Sequence, residues 1–122
     1  MAELKTVLVV DDDPSIVDFV RTALEDEGYA VVTTVGGYTI GVARDLRPAV
    51  ILLDIAMPGM DGVEVSTRLR RDPRTANIPI IVMSAQDRLR ATTALMPIDD
   101  RLPKPFELDH LYAKVAHWAT AS

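Results

Sequence analysis

Three consecutive aspartates, Asp11-Asp12-Asp13, close an apolar run at Val7–Val10, and Asp54 closes another at Val50–Leu53. Ser84 ends a third run, Ile78–Met83, and Lys104 follows a weaker one at Arg101–Pro103. Runs that stay apolar without alternating fit strands covered on both faces of a parallel sheet. In such sheets the carboxyl ends of the strands form the ligand edge. If the Val7–Val10 and Val50–Leu53 runs pair, their ends lie about 5 Å apart, and Asp11, Asp12 and Asp54 converge on one shallow pocket. Carboxylates at that range repel by about 1 to 4 kcal/mol per pair, a cost that a hard cation removes. Mg²⁺ suits the set, because it takes one or two carboxylates, keeps several waters and is completed by phosphate oxygens. Ca²⁺ fits less well, since six to eight oxygen ligands are not in view. With the Lys104 ammonium and the Ser84 hydroxyl at the same edge, the constellation is a receptor for a phosphoryl group. Asp54 is then the natural nucleophile, because aspartyl phosphates are an established type of covalent intermediate.

The elements that must position these groups can be read from the pattern. A fifth apolar run, Ala30–Val35, carries Thr33 and Thr34 and belongs at a sheet edge. Asp13-Pro14 reads as a helix cap followed by proline at the first helical position. Ile16, Val20, Ala23 and Leu24 then repeat at helical spacing, and Gly28 supplies the stop. Further helices are expected over Tyr38–Leu46, from Gly62 to Arg71, between Gln86 and Leu95, and over Glu107–Ala119. The last carries Leu108, Leu111, Tyr112, Val115 and Trp118 on one stripe. Five β-α repeats with right-handed crossovers give a three-layer α/β/α sandwich, expected as a single domain over residues 1–122.

Composition excludes several other classes. Hydrophobic residues at 48% and charged residues at 25% are globular proportions, too apolar for a disordered chain. A net charge of −5 disfavours direct nucleic-acid binding through bulk charge. With no cysteine there is no disulfide, thiolate metal site or thiol nucleophile. The first residues turn acidic after one short apolar run, so neither signal peptide nor membrane span is expected, and the cytoplasm is the expected location.

Four motifs in order, VLVVDDDP (7–14), LLDIAMPGMDG (52–62), IVMSA (81–85) and KPF (104–106), carry a specific resemblance. Over essentially its whole length the chain resembles the receiver domain of bacterial two-component response regulators, chemotaxis receivers among them. The resemblance implies a flavodoxin-like sheet of order 2-1-3-4-5 with five helices. It implies that Asp54 accepts phosphate from a histidine kinase or phosphotransfer protein. It implies that Asp11, Asp12 and Asp54 hold Mg²⁺ with the backbone carbonyl of Ala56. Ser84 and Lys104 would bind the phosphoryl group, and the face of the fourth helix, fifth strand and fifth helix would signal to an output protein or domain. It also implies a cis bond between Lys104 and Pro105. The domain is thus expected to be a signalling acceptor and not an enzyme. The cognate kinase, the output partner, homodimerisation of the phosphorylated form, and whether the domain stands alone are left open.

Three departures limit the transfer. Arg101 stands three before Lys104, where the family usually carries an aromatic ring, and a guanidinium will not bury unpaired in an apolar slot. The stretch from Ser84 to Lys104 is shorter than the family's. Ala56 and Gln86 flank the pocket where phosphate lifetime is tuned, and alanine cannot orient an attacking water.

Plainer readings exist for each group. Asp13 is expected to be a cap, and Asp54 alone could be a turn residue. Asp99-Asp100 is expected to be a solvated turn, and the arginines at 68, 70, 71, 74, 88 and 90 to form solvated helix faces. His110 and His117 are expected at the surface or in packing, and Trp118 as an anchor of the last helix. Two rival functions follow. One is a phosphatase of the haloacid dehalogenase type, using Asp11 and Asp13 with Ser84, Lys104 and Asp99-Asp100; sustained turnover of a phosphate ester would mark it. The other is a docking module of receiver fold that ignores phosphorylation.

Overall fold

The strand residues alternate between two apolar clusters although their sequences do not alternate. Val7, Val9, Leu52, Ile81, Met83 and Leu102 face one side of the sheet, where Val20, Leu24, Leu111 and Val115 cover them. Leu8, Val10, Ile51, Leu53, Ile80 and Val82 face the other, under Ala43 and Leu69. A fully buried Leu or Ile side chain stabilises by about 1.5–3 kcal/mol. An exposed helix pair such as Glu64–Arg68 is worth about 0.3–0.5 kcal/mol. The two apolar layers therefore decide the architecture.

The computed structural model describes residues 4–56, 61–85, 93, 94 and 96–120. The elements are β1 (Thr6–Val10), α1 (Pro14–Asp26), β2 (Ala30–Thr34), a 3-10 turn (Gly36–Tyr38), α2 (Thr39–Leu46), β3 (Val50–Asp54), α3 (Gly62–Arg71), β4 (Ile80–Ala85), β5 (Asp100–Lys104) and α4 (Leu108–Thr120). All strand pairs are parallel, in the order β2-β1-β3-β4-β5. β2 is the half-buried edge strand that its threonines suggested. The described residues hold four α-helices where five were expected; the helix expected between Gln86 and Leu95 falls almost wholly outside them.

Local chemistry sets the helix ends. Asp13 accepts the Ser15 amide at 2.9 Å with Pro14 in the first turn of α1, as expected of a cap. Gly28, at φ 92°, turns the chain out of α1 into the left-handed region that glycine favours. Asp61 caps α3 by accepting the Val63 and Glu64 amides. Gly62 follows because a Cβ there would stand 2.7 Å from Ile55 Cγ2. The expected Tyr38–Leu46 helix begins one residue later, since Gly36–Tyr38 form the 3-10 turn. On α4 the expected apolar stripe is buried at Leu111 and Val115, whereas Leu108 is exposed.

Two expectations are corrected at the entry to β5. Asp99 does lie exposed in a bend, but Asp100 opens β5 and both carboxylates are engaged. Asp99 pairs with Arg70 and accepts the Ile80 amide at 2.8 Å. Arg70, expected on a solvated face, also donates to the carbonyls of Pro97, Ala76 and Ile78. One guanidinium thus ties α3 to the approaches of β4 and β5. Arg68 does lie on an exposed face; Arg88 and Arg90 lie outside the described residues. Asp100 accepts Lys114 Nζ and Trp118 Nε1 of α4, each at 2.8 Å, so Trp118 anchors its helix by a hydrogen bond as well as by packing. Together these groups fix the strand that ends in Lys104.

Burial alone would raise the Asp100 carboxyl, but hydrogen bonds from Lys114, Trp118 and the Arg101 amide outweigh it and hold the group below the usual Asp range. The stability from a lowered carboxyl is present above the unfolded value near 3.9 and is lost as pH falls through the folded value. Asp100→Asn should therefore cost about 1 kcal/mol at neutral pH. Urea unfolding across pH should show that deficit narrowing below about pH 4. A deficit independent of pH would refute this role.

Candidate functional site

The β1–β3 register aligns Val10 with Leu53, so Asp11 and Asp54 each stand one step further on, at the same rim. Asp54 in turn aligns with Met83, and Ser84 with Pro103. Asp11, Asp54 and Ser84 are buried at 2%, 4% and 1% exposure, while Asp12 is open to solvent. Carboxylate oxygens of Asp11, Asp12 and Asp54 all lie within 4.8 Å of one another. The three side chains that the sequence proposed to converge do converge.

Each oxygen of the buried pair is held. Asp11 Oδ1 accepts the Asp13 amide at 2.9 Å, and Asp11 Oδ2 accepts Lys104 Nζ at 2.9 Å. Asp54 Oδ1 accepts the Ala56 amide at 3.0 Å, and Asp54 Oδ2 lies 3.6 Å from Lys104 Nζ. The Ala56 N–H contact was not part of the sequence reading, which named the carbonyl of that residue. Lys104 is followed by a cis peptide to Pro105, as the resemblance implies.

Among the described residues, three carboxylates and one ammonium leave the rim short of positive charge. At 4.8 Å each like-charged pair costs about 1 to 3.5 kcal/mol at effective dielectrics of 80 to 20, and Lys104 offsets only part of the total. Burial pushes the Asp54 carboxyl up; the Ala56 N–H and Lys104 oppose that, and Asp11 adds to it. The net direction is upward.

Ser84 Oγ is buried and has no hydrogen-bond partner among the described residues. A buried hydroxyl in that state costs about 1–3 kcal/mol, so it is a donor with unused capacity beside the acidic rim. Gln86 lies outside the described residues. Arg101 stays exposed and does not enter an apolar slot, and its Nε donates to the buried Thr93 Oγ1 at 2.6 Å. His110 and His117 are exposed, with the His117 ring edge-on to Trp118 at 4.9 Å. Asp13 caps α1, and Asp99-Asp100 serve Arg70, Lys114 and Trp118, so the acidic groups that a dehalogenase-type phosphatase would need are engaged in structure.

Residues 7–116 match the family described as response regulator receiver domain. The chain belongs to that family. Among curated relatives, the DNA-binding dual master transcriptional regulator RpaA of Synechocystis is 40% identical over 114 residues, covering 89% of this chain and 46% of the relative. The DNA-binding response regulator MtrA of Mycolicibacterium smegmatis is 37% identical over 112 residues, covering 89% and 48%. The receiver domain of a sensor histidine kinase of Pseudomonas aeruginosa, solved with a magnesium ion coordinated in its active-site cleft, superposes with a TM-score of 0.88 at 25% identity, covering 97% of this chain and 99% of that one. A chemotaxis response regulator of Vibrio cholerae gives 0.85 at 28% identity, covering 95% and 99%.

This chain is a receiver domain of two-component signalling, and its Asp11–Asp12–Asp54 pocket fits a phosphoacceptor site. Receiver domains are signalling proteins, and response regulators interact with histidine kinases. The chain spans about half the length of the curated relatives it matches, and both relatives above are described as DNA-binding. The expectation of no direct nucleic-acid contact, drawn from the net charge, therefore does not extend to a longer protein. Among the described residues no helix is long and apolar enough to cross a membrane.

A carboxyl whose folded value is raised imposes its cost above that value and relieves it as pH falls. Asp54→Asn removes the cost, so in metal-free buffer at neutral pH this variant should be more stable by about 1 kcal/mol. Thermal unfolding with chelator present checks this. A variant no more stable than the parent would show that the rim is not under like-charge load.

Proposed function

We propose that Asp54 is the phosphoacceptor of a Mg²⁺-dependent switch driven by a partner histidine kinase or phosphotransfer protein. The observation that carries the reading is a buried Asp54 carboxylate 3.6 Å from the Lys104 ammonium and within 4.8 Å of two further carboxylates. A carboxylate oxygen of Asp54 attacks the phosphorus of a phosphohistidine. The P–N bond breaks, its electron pair returns to the imidazole nitrogen, which takes up a proton, and an aspartyl phosphate remains. The Ala56 N–H and Lys104 orient the carboxylate before attack, and Lys104 carries positive charge to the incoming phosphoryl oxygens.

Three converging hard carboxylate oxygens suit Mg²⁺, and Asp11, Asp12 and Asp54 would hold it together with the Ala56 carbonyl. When bound, the ion neutralises charge on the phosphoryl oxygens. Phosphorylation replaces one carboxylate charge by a group of roughly −2. Ser84 Oγ, buried without a partner among the described residues, gains an acceptor in that state. Satisfying it is worth about 1–3 kcal/mol, the scale of a two-state shift. The end of β4 moves with it, and β5 with α4 reports the change to an output partner. Arg101, hydrogen-bonded to Thr93, carries no aromatic rotamer into this switching. The domain comprises residues 1–122, works in the cytoplasm and is not itself an enzyme.

The test is mass spectrometry of the full chain after incubation with acetyl phosphate and Mg²⁺. One phosphoryl group per chain is expected, absent in Asp54→Ala and absent when the metal is chelated. Failure to load from acetyl phosphate or from any histidine kinase would favour the phosphorylation-independent docking module. Sustained turnover of generic phosphate esters would favour the phosphatase.

A further inference from the structure

Arg47 follows α2 with φ 49° and ψ 61°, a left-handed conformation that glycine favours at helix ends. It is the one residue other than glycine with positive φ among the described residues. An arginine held there forgoes the residue that the backbone prefers. Among those residues its guanidinium also makes no ion pair or hydrogen bond in return. The C-terminal charge that suits α2 is already supplied by Arg44 in the last turn. A strained position without an internal reward points outward, to something the side chain meets in a complex.

Arg47 lines a groove of about 520 Å³ at the N-terminal edge of the sheet. Lys5 and Arg74 share its rim, the exposed Leu4 and half-buried Leu46 contribute apolar surface, and the buried Pro48 and Ile78 form its floor. No carboxylate stands among its described lining residues, in a chain whose net charge is −5. Asp72, nearby, serves Arg44 at 2.8 Å and Arg74 at 3.6 Å, so two cations share one anion and a positive excess remains. Lys5 Nζ donates to the Ala119 carbonyl, a neutral acceptor, at 2.6 Å. The groove lies at the opposite end of β3 from Asp54, about 13 Å along the strand at the usual rise per residue. An occupant there leaves the phosphoacceptor rim free.

We propose that this groove docks a short acidic peptide segment of a partner protein, with carboxylates on Lys5, Arg47 and Arg74 and an apolar side chain over Leu4 and Leu46. Charge complementarity selects the anion. The apolar, proline-bearing lining favours a peptide over a nucleic acid, whose phosphates need a broader basic field than an acidic domain provides.

The probe is the capped hexapeptide Glu-Asp-Leu-Leu-Asp-Glu, titrated into the isotopically labelled full chain and followed by amide chemical shifts. Saturable shifts confined to residues 4–6, 46–49, 74 and 77–79 are expected, weakening as salt is raised. Arg47→Gly and Arg74→Gln should each weaken binding about two- to fivefold, the range of an exposed ion pair. Arg47→Gly should meanwhile unfold at an equal or higher temperature than the parent, because glycine relaxes the backbone; this separates a binding role from a structural one. The capped peptide Lys-Lys-Leu-Leu-Lys-Lys should not bind. The proposal is overturned by absence of saturable shifts, by shifts centred on Asp11 and Lys104, by unchanged affinity in Arg47→Gly, or by equal binding of a hexathymidylate oligonucleotide.

Discussion

The Lys104–Asp11 contact is the constraint on which the rest of the site depends. It joins residues 93 positions apart, and it brings the one ammonium at the rim among the described residues to two buried carboxylates. Without it Asp11 and Asp54 would be two buried charges facing each other with Asp12 beside them. Breaking a buried pair by removing one partner costs about 3–5 kcal/mol. The fold is arranged to keep that contact. β1 and β3 pair in a register that sets the two aspartates level, and β4 carries β5 into place beside them.

That placement draws on contacts far from the rim. β5 has the most polar sequence of the five strands, and its residues are half-exposed apart from the buried Leu102 and exposed Arg101. Hydrophobic burial alone holds it weakly. Arg70 and Asp99 fix its approach, and Asp100 ties its first residue to Lys114 and Trp118. These polar ties replace apolar surface that β5 lacks. They also link α3 and α4 to the strand that ends in Lys104.

The parts of this arrangement that follow from local rules were legible in the sequence. Doubly covered strands read as unbroken apolar runs, Asp13-Pro14 as a cap, and the polar residues ending the runs as a common rim. Boundaries slipped where backbone chemistry intervened. The expected Ile78–Met83 run began at Ile78, but that residue's amide bonds the Thr75 carbonyl in a turn, Pro79 has no N–H, and the strand starts at Ile80. Asp99, Asp100 and Arg70 were misjudged because their side-chain partners lie 14 to 29 positions away, with no periodic signal to connect them. Arg47 gave no signal either, since a positive φ belongs to the folded backbone and not to the residue type.

What the acidic rim requires is a counter-charge beyond Lys104, and calorimetric titration of Mg²⁺ into the chain measures that requirement most directly. The expected result is one saturable site, lost in both Asp12→Asn and Asp54→Asn, variants that leave the Lys104–Asp11 contact in place. Absence of saturable binding in the parent, or binding indifferent to both substitutions, would contradict a rim built to receive a divalent ion and the phosphoryl group that follows it.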